Sequence, residues 1–383
     1  MSQLLKIRVI GSGPTGSLMA YSLFKLGCKV TLFDLKTHDQ LIKRSRAYAI
    51  THSSRRLFEK LDLWGELRQY MNPFNNLLIR DTVINSQTNF TINDISLENQ
   101  RYNSIGWILD HSDLMKLILS KIIDETDIEL RLGSILESQG DSYDLTIAAY
   151  GFNKNSSSKF NLRDINFKYK QGCLTSKVLL RGAKSTQAYE ILRQEGPFAI
   201  LPMGGDVFQI IWSAPINKCK NRISLNNSTL LDRITSIIPN GIQADSIIGE
   251  VNVFPNYFYI STSFYKKRSI LIGESAHCFH PVGGQGLNLC WRDVYLLEKL
   301  IKLVATNKIS LKHLPTLYFL LRILDVVSIG IITDLIVRTF SNRLLFTLPI
   351  RKIAFVLLNR SAIIRKQIFK IMTNGLSLRK LSK

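Results

Sequence analysis

The sequence predicts an α/β protein: a Rossmann-like domain, an antiparallel β-sheet inserted into it, and a C-terminal helical region. Three observations predict this. The β-branched run Ile7-Arg8-Val9-Ile10 leads directly into Gly11-Ser12-Gly13-Pro14-Thr15-Gly16 and then into a stretch with helical periodicity. A second unit of strand, acid, glycine-rich loop and helix begins at Ser269. Between the two, residues 77–108 and 160–264 alternate apolar and polar positions with turn residues interspersed, as a half-buried sheet requires. At 383 residues the chain can bury the core such an arrangement needs.

In the first unit, Ser17 to Leu26 reads as a helix with Leu18, Met19, Tyr21 and Leu23 on its apolar face, closed by Gly27. Lys29 to Phe33 is a second strand and ends at Asp34. A G-x-G-x-x-G held between strand and helix, with an acid at the tip of the next strand, is a dinucleotide-binding pattern. Gly11 permits the tight turn, Gly13 lets the backbone approach a pyrophosphate, and Gly16 allows close packing of helix on strand. The helix N-terminus at Pro14 and Thr15 offers N–H donors and the positive end of a dipole to phosphates. Asp34 can accept hydrogen bonds from a ribose diol and disfavours a 2′-phosphate, so FAD or NAD fits better than NADP.

The second unit narrows the cofactor. Ser269 to Ile272 is a buried-strand pattern feeding Gly273-Glu274, then Ala276-His277, His280-Pro281 and Gly283-Gly284-Gln285-Gly286-Leu287-Asn288, before a helix from Leu289 to Leu303. The loop's glycines leave backbone N–H groups uncovered for a flat, electron-rich ring, with a helix N-terminus behind them. No second G-x-G-x-x-G occurs, which argues against a separate nicotinamide domain.

These motifs resemble the flavin-dependent aromatic hydroxylases with a single FAD-binding domain (class A flavoprotein monooxygenases), and among them the ubiquinone-biosynthesis branch. The family pattern of Gly-Asp, Ala-His, Pro and Gly-Gln-Gly-x-Asn is met by Gly273-Glu274, Ala276-His277, Pro281 and Gly284 to Asn288, with Arg292-Asp293 following. His280 before Pro281 and the run from Asn288-Leu289 to Asp293-Val294 are similar to the quinone branch. Arg46-Ala47-Tyr48-Ala49-Ile50 with Leu63-Trp64, Glu195 to Pro202, and Asp334, Leu335, Phe340, Pro349 and Arg351 extend the likeness over the whole chain.

The resemblance implies FAD, held at the ribose by Asp34, at the ribityl hydroxyls by Glu274 and near the ribityl–phosphate junction by Arg46. Gly273, Gly284, Gln285, Gly286, Leu287 and Asn288 would complete the cofactor set, with the Pro281–Gly286 loop beside the ring. It places residues 1–76, 109–159 and 265–310 in the FAD-binding domain, 77–108 and 160–264 in the substrate sheet, and 311–383 in a basic helical region. The implied reaction is oxygen transfer from a flavin hydroperoxide to the ring of a prenylated phenol or quinone precursor, with NAD(P)H as a transient electron donor. Pro281 and His280 are the catalytic candidates; for His277 and His280 an ordinary structural hydrogen bond competes with proton transfer. An isoprenoid reductase or cyclase without oxygen insertion, and a non-catalytic flavin-binding scaffold, share these motifs.

Two departures bear on this. Glu274 stands where the family has Asp, lengthening the reach by about 1.3–1.5 Å. The family's middle Ala-Asp-Gly is Ala149-Tyr150-Gly151 here, and a tyrosine supplies no carboxylate at neutral pH. That substitution is either altered handling of the electron donor or drift at a position behind the site.

Charge adds a partner. Lys and Arg number 50 against 29 acids, a formal net charge of +21. From Lys299 onward sixteen Lys and Arg face only Asp325 and Asp334, so +14 lies in the last 85 residues. A helix over 350–372 would stack Leu357, Ile364, Ile368 and Ile371 on one face, opposite Lys352, Lys366 and Lys370. Such a helix suits an anionic membrane surface, and equally it can pack its apolar face on the body. No basic–aromatic module for nucleic acid is present, and no C-x-x-C or other metal-ligand spacing among the five cysteines. The most apolar stretch, 316–340, is broken by Arg322, Asp325, Asp334 and Arg338, short of the ~18 apolar residues a span requires. With no signal peptide recognised at Met1 to Lys6, the expected location is cytoplasmic, peripheral on the inner face of a membrane.

Overall fold

The computed structural model describes residues 5–95, 103–125, 127–133, 142–152, 162–342 and 344–375. A six-stranded sheet runs in the order Tyr265–Lys266, Ser269–Leu271, Leu145–Ala148, Lys6–Ile10, Lys29–Asp34, Ile128–Leu132. All its pairings are parallel except the one at the Tyr265–Lys266 edge. Ile7, Val9, Leu32, Ile147 and Ile270 are fully buried, because helices cover both faces and parallel strands therefore read as continuous apolar runs. The strands carrying the two glycine motifs flank Leu145–Ala148 and point the same way, so both loops emerge at one edge of the sheet. Ligands of open α/β sheets bind at that carboxyl edge.

Helix α1 (Pro14–Lys25) starts three residues earlier than expected, since Pro14 with its fixed φ opens the first turn; Gly27 takes φ +78° just beyond its end. Helix α2 (Gln285–Ala305) likewise starts four residues early. Gly283 (φ +71°) and Gly284 (φ +63°) adopt left-handed geometry that only glycine takes readily, and this turns the chain into the helix at once.

The second sheet has eight strands: His277–Cys278, Gln243–Ser261, Asp164–Arg181, Val207–Pro215, Phe198–Gly204, Gln187–Leu192, Asn76–Asp81 and Ser86–Thr91. Neighbours are antiparallel except Gln187–Leu192 beside Asn76–Asp81, which are parallel. One face, with Leu174, Ile191, Phe198 and Trp212, forms a separate core with Leu230 and Ile234 of the short helix Asn227–Thr235. Residues 77–108 do not all belong here. Gly106–Asp110 pairs with Ala47–Ile50 and Met71–Phe74 in a three-stranded sheet, so the end of that segment falls outside the large sheet.

The C-terminal region comprises α3 (Leu314–Phe340), α4 (Thr347–Arg360) and α5 (Ala362–Asn374). The single helix expected over 350–372 is two helices. Ser361 is extended (φ −119°, ψ 103°), ending α4, and its side chain accepts the Ile364 N–H to cap α5. The apolar face expected of one helix splits with it: Ile364, Ile368 and Ile371 are half-buried, whereas Leu357 is exposed. The basic residues after Gly375 lie outside the described residues. No helix among those described is long and apolar enough to cross a membrane.

Candidate cofactor and active site

A cavity of about 360 Å³ lies between the two glycine loops and the large sheet. Its first wall is the turn after Lys6–Ile10. A Cβ on Gly11 would stand 2.4 Å from the Ala149 carbonyl oxygen, and one on Gly16 only 1.7 Å from that of Gly11. Both glycines are therefore demanded by packing, and neither lines the cavity. Gly13 does line it, and a Cβ there would meet nothing within 4 Å. Pro14 and Thr15 continue the wall as the first residues of α1, a helix with neither a side-chain cap nor an acid in its first turn. Its first N–H groups are left for a ligand to satisfy. Asp34 faces the same space, its Oδ2 accepting the Ser12 N–H at 2.6 Å and its Oδ1 the Lys36 N–H at 2.9 Å. These two bonds aim the carboxylate and leave further lone pairs for a diol.

The second wall repeats the device. Pro281, Gly284, Gly286 and Leu287 line the cavity where α2 begins, again with no side-chain cap and no early acid. Gly286 has open space where a Cβ would be. Glu274 is exposed into the cavity, and Arg46 faces it from the strand Ala47–Ile50 side with its guanidinium 5.5 Å from the Tyr48 ring centre. Tyr150, in place of the family's acid, is a wall residue, as are Gly151 and Phe152. Leu201 and Ile211 close the cavity from the large sheet.

Four residues expected at the cofactor or the chemistry stand behind the wall instead. Gly273 is buried, its N–H donating to Asp293 at 2.8 Å, and a Cβ would press on Thr15 at 3.0 Å. Gln285 turns its amide back to the Gly283 carbonyl. Asn288 uses both ends of its amide within the protein. Its Oδ1 accepts from Thr51 and Ser54, and its Nδ2 donates to the carbonyls of Ala49 and Gly284, tying the two walls together. His280 lies furthest from the expected placement. Its ring is buried edge-on against Tyr169, its Nδ1 accepts the Val282 N–H, and burial pushes its pKa down to about 3. Its ring does not line the cavity.

Conversely, two pairs went unread in the sequence. His277 lines the cavity and places Nε2 2.8 Å from Asp293 Oδ2. Tyr48 and His111 also line it, with the tyrosine hydroxyl 2.8 Å from Nδ1. Because His111 Nε2 lies 2.8 Å from the Leu41 carbonyl, that nitrogen carries the proton and Nδ1 accepts from Tyr48. Burial lowers the His111 pKa to about 4 and keeps the ring neutral. Sixty-three positions separate Tyr48 from His111, with no motif to link them.

The family profile described as FAD binding domain matches residues 147–314. An uncharacterized protein of Synechocystis sp. is 25% identical over 96% of this chain and 92% of its own. The ubiquinone biosynthesis monooxygenase COQ6 of Caenorhabditis elegans is 23% identical over 76% of this chain and 78% of its own. Among solved structures PqsL, a probable FAD-dependent monooxygenase from Pseudomonas aeruginosa, superposes with a TM-score of 0.74 at 17% identity, over 91% of this chain and 99% of that one. The chain is thus similar in sequence to ubiquinone biosynthesis monooxygenases and shares the fold of FAD-dependent monooxygenases. The cavity suits FAD on physical grounds. Two uncapped helix N-termini face one space, two glycines there are open to close approach, and acceptors for hydroxyl groups stand at Asp34 and Glu274.

Proposed function

We propose that this monooxygenase hydroxylates the aromatic ring of a lipophilic, prenylated phenol or quinone precursor while docked on an anionic membrane surface. The observation that carries the reading is the inversion of α3. Arg322 and Asp325 are fully buried, while Leu320, Leu324, Ile331 and Leu335 are 58–69% exposed. The apolar surface continues through Leu344, Leu345 and Phe346, the last two 82% and 70% exposed, and on to Ile350 and Ile353 of α4. Exposed Lys352 lies on α4 itself and exposed Lys366 on the following helix α5. Exposed apolar side chains on helices that also carry exposed lysines are the pattern of a helix resting in the headgroup region, peripheral on the inner face of the membrane.

Within the cavity, the N–H groups of Gly13 and Thr15 would hold the pyrophosphate, Asp34 the ribose, and Glu274 with Arg46 the ribityl chain. Pro281, Gly284, Gly286 and Leu287 would flank the ring. When bound and reduced, FAD supplies the activation of dioxygen for transfer to an aromatic carbon. The protein's part is to exclude water, for which Leu201, Ile211, Phe152 and Pro281 supply apolar walls. NAD(P)H is the proposed donor, with Tyr150 at the position that governs its access. The relatives named for ubiquinone biosynthesis support the substrate class.

Mass spectrometry of lipids from a strain lacking the gene tests this. A prenylated aromatic short of one hydroxyl should accumulate, and purified protein should install one atom of label from ¹⁸O₂ in it. Product without label would favour a reductase or cyclase, and no product with bound FAD a scaffold.

A further inference from the structure

A second cavity, of about 420 Å³, is walled by the segments that follow three strands of the large sheet. Thr82 and Val83 come after Asn76–Asp81, Arg193 to Glu195 after Gln187–Leu192, and Pro215 leads into Lys218 on the short helix Ile216–Ile223. It shares no wall residue with the cofactor cavity. A glycine brings these segments together. Gly196 takes φ +143°, and a Cβ there would stand 2.5 Å from the Ser213 carbonyl oxygen, so only glycine lets the turn lie this close to the strand Val207–Pro215. Glu195 thereby meets Trp212 of that strand and the helix that follows it. Lys218 and Arg222 stand four residues apart on that helix, hence on one face, and both reach Glu195.

Three cations therefore share one carboxylate. Glu195 accepts from Arg193 Nη1 at 3.0 Å, Lys218 Nζ at 3.3 Å and Arg222 Nη2 at 2.8 Å, and from Trp212 Nε1 at 3.0 Å. It is the one acid in the cavity wall. Arg222 is 7% exposed and lies 3.8 Å over the Trp212 ring, with Nε and Nη1 lacking a hydrogen-bond partner among the described residues. Buried guanidinium donors left unpaired are costly, and a carboxylate divided among three cations satisfies none of them fully. An anion entering the cavity would take Arg193 and Lys218 and leave Glu195 to Arg222 and Trp212.

We propose that this cavity is a binding site for a phosphate ester, held by Arg193 and Lys218 at the mouth of the helix Ile216–Ile223. That helix opens at Pro215 with neither a side-chain cap nor an acid in its first turn. Arg193 presents a planar fork and Lys218 a point charge. Fork, point charge and free N–H groups together match the several oxygens of a phosphate better than the two of a carboxylate.

Position favours a lipid headgroup as the source of that phosphate. Arg193 also faces Ile336, Val337 and Phe340 of α3 across a narrow crevice. Asp81, next to Thr82 in the chain, pairs with Arg351 of α4. The cavity thus sits beside the join of α3 and α4, where Leu345 and Phe346 are exposed. Basic side chains at that level of an anionic membrane meet headgroup phosphates. The choice of source rests on the membrane reading above; the site itself does not.

The test uses the FAD-loaded full chain, as wild type and as the double variant Arg193→Gln with Lys218→Gln. Neither residue lines the cofactor cavity, and Glu195 keeps Arg222 and Trp212, so melting temperature and FAD content should be unchanged. One arm titrates glycerol phosphate by calorimetry. The other sediments the protein with phosphatidylcholine vesicles containing phosphatidic acid, or containing oleate as a carboxylate control. Wild type should bind glycerol phosphate saturably and prefer phosphatidic acid to oleate, and the variant should weaken both by about tenfold or more. Loss of both assigns the site to a lipid headgroup. Loss of glycerol phosphate binding with the vesicle preference intact assigns it to a soluble phosphate ester. Wild type and variant behaving alike in both arms overturns the proposal. Vesicle binding that vanishes with Leu345→Glu and Phe346→Glu but ignores Arg193 and Lys218 would refute the site and leave docking standing. Glycerol phosphate binding that depends on the two residues, without any vesicle binding, would do the reverse. Should the double variant fail to fold, Lys218→Gln alone, at a side chain 60% exposed, carries the same comparison.

Discussion

Arg322 donates from Nε to Asp293 Oδ1 at 2.7 Å, with both side chains completely buried between α2 and α3. The other oxygen of Asp293 takes the Gly273 N–H and His277, both part of the second glycine unit. Arg322 in turn pairs with Asp325, and Arg292 reaches from Asp325 to the Met372 carbonyl in α5. One buried chain of charges thus links a cavity wall residue to the C-terminal helices.

Breaking that chain should be severe. Asp293→Asn leaves Arg322 buried with one partner fewer, and loss of one member of a buried pair costs about 3–5 kcal/mol. The expected outcome is a large drop in melting temperature and loss of FAD retention together.

Acid should act through the same carboxylate. Burial alone would raise the Asp293 pKa, but Arg322, His277 and the Gly273 N–H bring it down to about 2. Its folded pKa lies below the ordinary 3.8, so its stabilisation is full above that value and is lost as pH falls toward 2. Unfolding curves from pH 5 to 2 should show a decline in wild type that Asp293→Asn lacks.

The glycines of the first motif should separate folding from binding. Gly16→Ala forces a Cβ against the Gly11 carbonyl and should destabilise the apoprotein strongly, since the obstacle is backbone. Gly13→Ala meets no atom, so the apoprotein melting temperature should hardly move while FAD affinity falls, because the new methyl occupies the approach to the phosphates. Calorimetry and fluorescence titration on the two variants distinguish these outcomes.

The docking surface should respond to point substitutions. Leu345→Glu with Phe346→Glu removes two exposed apolar side chains, and burying such a residue contributes about 1.5–3 kcal/mol. Sedimentation with anionic vesicles should show at least about tenfold weaker binding, with unchanged melting and FAD content. Truncation before α4 is a poorer test, because Arg351 is buried against Asp81 and its loss would disturb the fold.

Tyr150 lines the cavity, and Tyr150→Asp restores the family's carboxylate there. Stopped-flow reduction by NADPH should quicken by about tenfold, the worth of one well-placed hydrogen bond. An unchanged rate would mark the substitution as silent toward the donor.

Much of this was legible in the sequence because the signals are local. A glycine that must turn the backbone, or an acid at a strand tip, declares itself within a few residues, as Gly11, Gly13 and Asp34 do. Asn288 misled for a related reason: the motif marks a residue that must be present, without saying whether it faces the ligand. His277 and Asp293 sit 16 positions apart on a strand and a helix, and only their folding together makes them a pair. The split of the C-terminal helix at Ser361 was hidden because helical periodicity persists on both sides of the break.

By itself the sequence determined the two-motif α/β scaffold, the cofactor class and the concentration of positive charge in the C-terminal region, since each follows from residue type and short spacing. Tertiary structure decided which motif residues face the cavity, the buried pairing of Arg322 with Asp293, and the outward turn of α3's leucines. Those depend on strand register and helix rotation, which are settled by packing between segments far apart in the chain.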